Sequence, residues 1–305
     1  MRNICFSVPD SYDGVTLRGF LRSYAGLSSR LNAKLKRLQN GITRNKLPVK
    51  APDILHSGDK VCLHFPEDEE TVIPMPLPVG IIWEDNNIVI CEKPSGMPMY
   101  PCPGHSCDSL ENAIAYIQSK TGDTFAFRPV YRLDKDTTGL VMLAKNAYAA
   151  SCLSGKVKKT YLAICEGKLS GSGIIDKPIG LKPGCTIQRS VIPDGDRAIT
   201  RWRVLCASEH CSLVAVHLQT GRTHQIRVHF SDFGHPLAGD DMYGGSCREI
   251  SRQALHCTEI RFRHPVTKKM IRICSKLPED MFVLLKSNRM IKKQYLIIFH
   301  KFCDN

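Results

Sequence analysis

The chain has 305 residues, 43% of them hydrophobic, and carries 42 Lys and Arg against 29 Asp and Glu, a net charge of +13. This is globular composition with enough apolar content for a small domain beside a larger one. No apolar run approaches the about 18 residues of a membrane span, and Met1 to Pro9 lack the apolar core of a signal peptide, so a soluble, cytoplasmic protein is expected. The basic excess favours a polyanionic partner, because each phosphate neutralised releases condensed counterions. The 14 Cys include no Cys-x-x-Cys pair. The nearest cluster, Cys102, His105 and Cys107, lacks a second ligand pair. We therefore expect no metal site and reduced thiols throughout.

Residues Gly14 to Pro52 hold nine Lys and Arg, Arg30, Lys34, Arg37 and Arg44 among them, and no acid. Leu17, Phe20, Leu21 and Tyr24 recur at helical spacing. Ser28 or Ser29 is placed to cap a second helix with Leu31, Leu35 and Leu38 inward, ended by Asn40 and Gly41. Ile42 to Val49 reads as a strand or hairpin, and Lys60 to Phe65 as a strand. The acids of 67–70 and then Pro74, Pro76 and Pro78 read as an extended linker. The division expected is a domain at 1–66, a linker at 67–80, a larger domain at 81–285 and a tail of unassigned role at 286–305.

In the larger part, Ile81, Ile82 and Ile88 to Cys91 are strand-like, and Ser109 to Ser119 is helical in period. Leu140 to Ala144 is an apolar run of buried-strand length. Thr160 to Glu166 alternates, with Tyr161, Ala163 and Cys165 on one face and Leu162 and Ile164 on the other. Ser212 to Leu218 is a further strand. No βαβ rhythm recurs.

Two stretches carry chemistry. Arg132, Leu133 and Asp134 through Gly139 put a polar cluster just before a buried strand. A carboxylate there is anchored by the sheet and open to a cleft, and an Arg beside it would hold it ionised. Read alone, the same residues are more readily an ordinary turn. Thr220 to Phe230 follows a strand, with Thr223 placed to cap a helix burying Ile226, Phe230 and Phe233. Arg227 adjoins that stripe, and a partly buried Arg needs an anion: Asp134 or an RNA phosphate. His224 and His229, five apart, do not share a face as a metal pair would.

Together these stretches resemble the RluA-type family of RNA pseudouridine synthases. Its catalytic-loop motif stands here as Tyr131, Arg132, Leu133 and Asp134 through Lys145, with Tyr131 in place of the usual His and Thr138 in place of Ser. Thr220 to His229 matches a later motif, followed by Gly234 to Asp240 and by Tyr243 and Gly244. Trp83 to Gly96, Lys159 to Gly167 and Leu255 to Pro265 match further segments in order. The resemblance covers about 81–278. Residues 14–65 resemble, more loosely, the RNA-binding domain named for ribosomal small-subunit protein four, through Leu27 to Arg30, Asn40 to Asn45 and Ser57 to Val61.

The resemblance implies an α+β fold with a mixed, largely antiparallel central sheet around a catalytic cleft, plus the small α/β RNA-binding unit. It implies cofactor-independent isomerisation of uridine in RNA, ribosomal RNA favoured over transfer RNA, on a flipped-out nucleotide. It assigns catalysis to Asp134, Tyr161 and Arg227, with Asp136 as the rival carboxylate. Arg132, Arg222, Arg30, Lys34, Arg37 and Arg44 would contact RNA. A monomer without an obligatory protein partner is expected. The competing classes are a non-catalytic RNA binder and a helix-turn-helix DNA regulator at Leu17 to Leu38. The latter leaves some 200 downstream residues unexplained.

Overall fold

The computed structural model describes residues 2–38, 40–65 and 72–290. Its N-terminal unit is an antiparallel sheet in the order β1-β4-β2-β3, with β1 Arg2–Ser7, β2 Ile42–Arg44, β3 Leu47–Pro48 and β4 Lys60–Phe65. Two helices, α1 Leu17–Ser23 and α2 Ser29–Arg37, cover it. Thr16 caps α1 by accepting from Gly19 N (3.2 Å), and Ser28 caps α2 by accepting from Leu31 N (3.3 Å). The β2–β3 hairpin turns on Asn45 and Lys46, both at positive φ (50° and 72°), the twist a two-residue hairpin requires.

Strand β1 is an element the sequence pattern did not bring forward. It buries Ile4 and Phe6 on one side and puts Cys5 directly opposite Cys62 of β4, with Cα atoms 4.1 Å apart. The two are disulfide-bonded, which corrects the expectation of reduced thiols throughout. The pair escaped notice because the partners lie 57 residues apart and only strand register brings them together.

The second unit is built on a nine-stranded sheet. In chain order its strands are β5 Gly80–Glu84, β6 Ile88–Lys93, β7 Thr138–Ala144, β8 Lys158–Glu166 and β9 Ser172–Asp176, then, past a small hairpin of β10 Ile179–Leu181 and β11 Arg189–Val191, β12 Ile199–Ala207, β13 Cys211–Leu218, β14 Leu255–Arg263 and β15 Met270–Cys274. The spatial order is β5-β6-β7-β14-β8-β13-β12-β9, with β15 also on β14. Only β7 and β14 run parallel; the other pairs are antiparallel. The helices are α3 Leu110–Thr121, α4 Ala147–Leu153, α5 Gln225–Asp232 and α6 Glu279–Ser287. This is the α+β architecture expected, with a largely antiparallel central sheet.

The alternation read in β8 separates two cores. Tyr161, Ala163 and Cys165 join the main core, while Leu162 and Ile164 pack with Met281, Leu284 and Leu285 of α6. Helix α6 reaches into the stretch expected as a tail, and residues 291–305 lie outside the described residues. Tyr148 of α4, fully buried, joins the two units. Its ring meets Phe6 edge-on at 5.5 Å, and its hydroxyl lies 2.7 Å from Ala25 O and 3.0 Å from Pro265 O. Among the described residues, no helix is long and apolar enough to cross a membrane.

Candidate active site

Register across three strands builds the floor of a cleft. Gly139 of β7 pairs with Cys257 of β14, which pairs with Tyr161 of β8. Gly139 sits at φ 110°, and a Cβ there would meet Cys257 O at 2.4 Å, so only glycine permits this parallel approach. The row puts the loop entering β7, which carries Asp134, above Tyr161. A small open cleft lies between them, lined also by Arg132, Thr137, Arg222, His224 and Arg227.

The loop is pinned residue by residue. Asp134 O accepts from Thr137 N (3.1 Å). Lys135 O accepts from Lys93 Nζ (2.7 Å), whose other bonds go to Pro94 O and Met97 O (2.8 and 2.9 Å). Burial pushes the Lys93 ammonium down to about 7, against the pull of Asp136 and Asp134. Asp136 O accepts from Arg252 Nη1 (3.2 Å), and Arg252 makes a two-pronged pair with Asp280 at the start of α6 (2.6 and 2.8 Å). The carboxylate of Asp136 accepts from Gly96 N (3.1 Å) and does not line the cleft. Of the two candidate carboxylates, Asp134 alone faces it.

Arg227 lies in the first turn of α5 with its side chain 7% exposed. Its Nη1 is 3.4 Å from Asp134 Oδ2, but its strong partner is Asp240, gripped by Nε and Nη2 at 2.8 Å each, with the Asp240 side chain fully buried. The expected Asp134–Arg227 pairing is therefore the weaker half of a triad. Burial opposes the charge on Arg227, and Asp240 outweighs it, raising the guanidinium above its ordinary value. The Tyr243 ring lies 4.9 Å beneath that guanidinium.

The turn into α5 departs from expectation. The N-cap is His224 in the left-handed region (φ 56°), not Thr223. No side chain caps the helix; Gln225 instead braces the preceding turn, its Oε1 accepting from Arg222 N and from the Thr220 hydroxyl (2.9 Å each). Helix α5 buries Ile226 and Phe230 as read, but Phe233 falls just past its end and is 44% exposed. His229 is buried against the Thr200 hydroxyl (2.8 Å) and Lys177 O (3.0 Å), away from the cleft.

Tyr161 is 5% exposed, and burial, then Cys257 and Asp134, raise its phenol well above the ordinary value. Tyr131 is turned away, its hydroxyl donating to Leu140 O (2.9 Å). Arg132 and Arg222 stand exposed at the rim, Arg222 also donating to Arg197 O (3.1 Å). Lys34 and Arg37 are exposed on α2. Arg44 is half-buried and donates to Ile54 O (2.7 Å), so part of its guanidinium is spent on its own unit. The side chain of Arg30 lies outside the described residues. Sequence reasoning assigned no role to Asp240, Tyr243, Lys93 or Arg252. The available signal was Arg227 itself, since one carboxylate cannot satisfy five buried N–H donors.

Residues 87–232 match the family described as RNA pseudouridylate synthase. An uncharacterized RNA pseudouridine synthase of Bacillus subtilis, YjbO, is 39% identical over 277 residues, spanning 87% of this chain and 98% of its own. Ribosomal large subunit pseudouridine synthase D of Pseudomonas aeruginosa is 35% identical over 269 residues, spanning 81% of this chain and 84% of its own. Human RNA pseudouridylate synthase domain containing 4 shares the fold, with a TM-score of 0.55 at 23% identity over 69% of this chain and 93% of that one. The chain therefore belongs to the RluA-type family of RNA pseudouridine synthases, which are isomerases.

Proposed function

We propose that the protein converts specific uridines of structured RNA to pseudouridine, ribosomal RNA in preference to transfer RNA, with Asp134 acting at the ribose of a flipped-out nucleotide. The observation that carries this reading is one cleft holding Asp134 on a pinned loop, a buried guanidinium at 3.4 Å and a buried tyrosine on its floor. The bond from ribose C1′ to uracil N1 breaks and a bond from C1′ to C5 forms. The C5 proton leaves and N1 gains one, so the reaction balances without an external electron or group donor, and no cofactor is called for.

Asp134 attacks C1′ or removes a proton beside it. Arg227, fixed by Asp240, keeps a positive charge beside the carboxylate, which holds it ionised and aims it. Tyr161 remains a neutral phenol at working pH, so it packs on the uracil and passes the C5 proton through its hydroxyl rather than serving as a phenolate base. Arg132 and Arg222 hold phosphates at the rim.

Residues 1–66 act as an RNA-binding domain of the ribosomal small-subunit protein four type, supplying affinity through Arg30, Lys34, Arg37 and Arg44. Residues 67–80 link it to the synthase domain at 81–285. The preference for ribosomal RNA is supported by relatives such as the P. aeruginosa protein, whose name assigns it to the large ribosomal subunit. The enzyme works in the cytoplasm.

The test incubates protein and an Asp134→Asn variant with unmodified RNA and maps pseudouridine by carbodiimide-dependent reverse-transcription stops. Discrete stops with wild type, and none with a variant that still binds RNA, are expected. RNA binding without stops on any ribosomal or transfer RNA would refute the reading.

A further inference from the structure

The Asp134 carboxylate is flanked on both sides. Arg227 approaches Oδ2, and His224 Nε2 stands 4.0 Å from Oδ1. His224 is held firmly: its backbone is fixed in the left-handed turn, its ring meets Tyr243 edge-on at 5.7 Å, and its Nδ1 lies 2.8 Å from the Tyr243 hydroxyl. That hydroxyl in turn accepts from Arg189 N (3.0 Å).

Burial pulls the imidazole below its ordinary value, against the opposing pull of Asp134, so at neutral pH it carries a single N–H. The geometry fixes which nitrogen bears it. A carboxylate facing Nε2 favours the proton there. The Tyr243 hydroxyl, already accepting from Arg189, has its own proton free for Nδ1. Nε2–H and Oδ1 therefore face each other across a span too long for a direct hydrogen bond. One oxygen about 2.8 Å from each fills such a span. It must accept from Nε2–H and donate to the carboxylate, which a hydroxyl does and a hydrogen or methyl ether does not.

We propose that His224 and Asp134 together bind the 2′-hydroxyl of the target uridine, so that His224 is a specificity-determining residue selecting ribose over deoxyribose. This rests on the reading that Asp134 acts at the ribose. If the carboxylate works at C1′ or at the hydrogen on C2′, the hydroxyl nearest to it is the 2′-hydroxyl, both donor and acceptor.

The experiment compares the mapped RNA substrate with the same RNA carrying 2′-deoxyuridine at the target alone. Single-turnover rates and equilibrium Kd are measured for wild type, His224→Asn and Tyr243→Phe. Asn tolerates the positive φ but is too short to reach the hydroxyl. Wild type should prefer ribose by about tenfold or more in Kd, the worth of one hydrogen bond to a charged carboxylate. His224→Asn should lose that preference. Tyr243→Phe, which frees the tautomer, should fall between. A variant that merely loosens the fold weakens both RNAs alike and leaves the ratio unchanged. If His224→Asn melts early, Tyr243→Phe carries the test with the same ratio.

The proposal is overturned if wild type binds both RNAs equally, or if neither variant narrows the ratio. Wild type that makes no pseudouridine in the ribose RNA refutes the function itself, a distinct outcome.

Discussion

In the N-terminal unit the cations of α2, Lys34, Lys36 and Arg37, stand in solvent. In the cleft, Arg227 and Asp240 face each other with side chains 7% and 0% exposed. An exposed Lys or Arg keeps its hydration until a phosphate arrives, so it adds affinity and salt dependence with little sequence preference. A buried pair has already lost its water, so its geometry is set before substrate binds. Under the proposed function, the first region holds RNA and the second acts on it. Substitutions should therefore separate affinity from turnover.

The largest expected effect is on turnover. Asp134→Asn keeps the size and the loop contacts of residue 134 but removes the charge, and should lower single-turnover rate by at least about 10³-fold. RNA Kd should weaken by no more than about tenfold, the worth of the single 2′-hydroxyl bond, because Asp134 contributes no attraction to phosphate. A parallel loss of both would mean that the cleft is part of the affinity surface, and the contrast would collapse.

Asp240→Asn should come next and should strike stability as well as rate. Removing one partner of a buried pair leaves an uncompensated charge, at a cost of about 3–5 kcal/mol. Arg227 would then turn toward Asp134 as its sole carboxylate, leaving the pose that aims it. Urea denaturation and single-turnover kinetics on the same sample check both. Unchanged stability would show that the Asp240 contacts are dispensable.

These residues also mark what was legible in the sequence. Helix α2 was readable because Leu31 and Leu35 recur at helical spacing behind a Ser cap, and β8 because its two faces alternate. Asp134 and Arg227 were singled out by the two motifs that together resemble the family, because the polar cluster before β7, read alone, is an ordinary turn. Asp240 and Tyr243 arrive from the loop after α5, and nothing local tells a turn aspartate from one facing a guanidinium. Strand β14 completes the cleft by a parallel pairing with β7 that no periodicity reveals. Cys5 and Cys62 met by register, and Phe233 kept the spacing of a helix that ends one residue before it.

A smaller effect sharpens the other side of the contrast. Reversing Lys34 and Arg37 together to Glu should weaken RNA binding at low salt and flatten the plot of log K against log salt by about one unit for each phosphate no longer neutralised. Turnover at saturating RNA should hold within about twofold. A fall in that rate with unchanged KM would mean that the N-terminal unit acts on the cleft, through the Tyr148 packing between the units, rather than through affinity.

The smallest expected effect separates the two regions by acid. His256 lies between the Thr138 hydroxyl (2.8 Å) and the Ser275 hydroxyl (3.2 Å), and burial, then Arg252, hold its imidazole at about 3 against an ordinary 6.5. Between those values the unfolded chain binds a proton that the folded chain refuses, so stability is fully present above about 6.5 and is lost as pH falls toward 3. Burial shifts His224 and His229 in the same direction, and all three belong to the large unit. Trp83 and Trp202 both lie in its sheet, in β5 and β12, so tryptophan fluorescence follows that unit alone. Urea midpoints at pH 6.5, 5.5 and 4.5 should fall for wild type more steeply than for His256→Gln, the difference approaching about 1.4 kcal/mol per pH unit. Parallel pH dependences would mean that His256 takes up its proton without unfolding the site, and that the wall behind the Asp134 loop admits water.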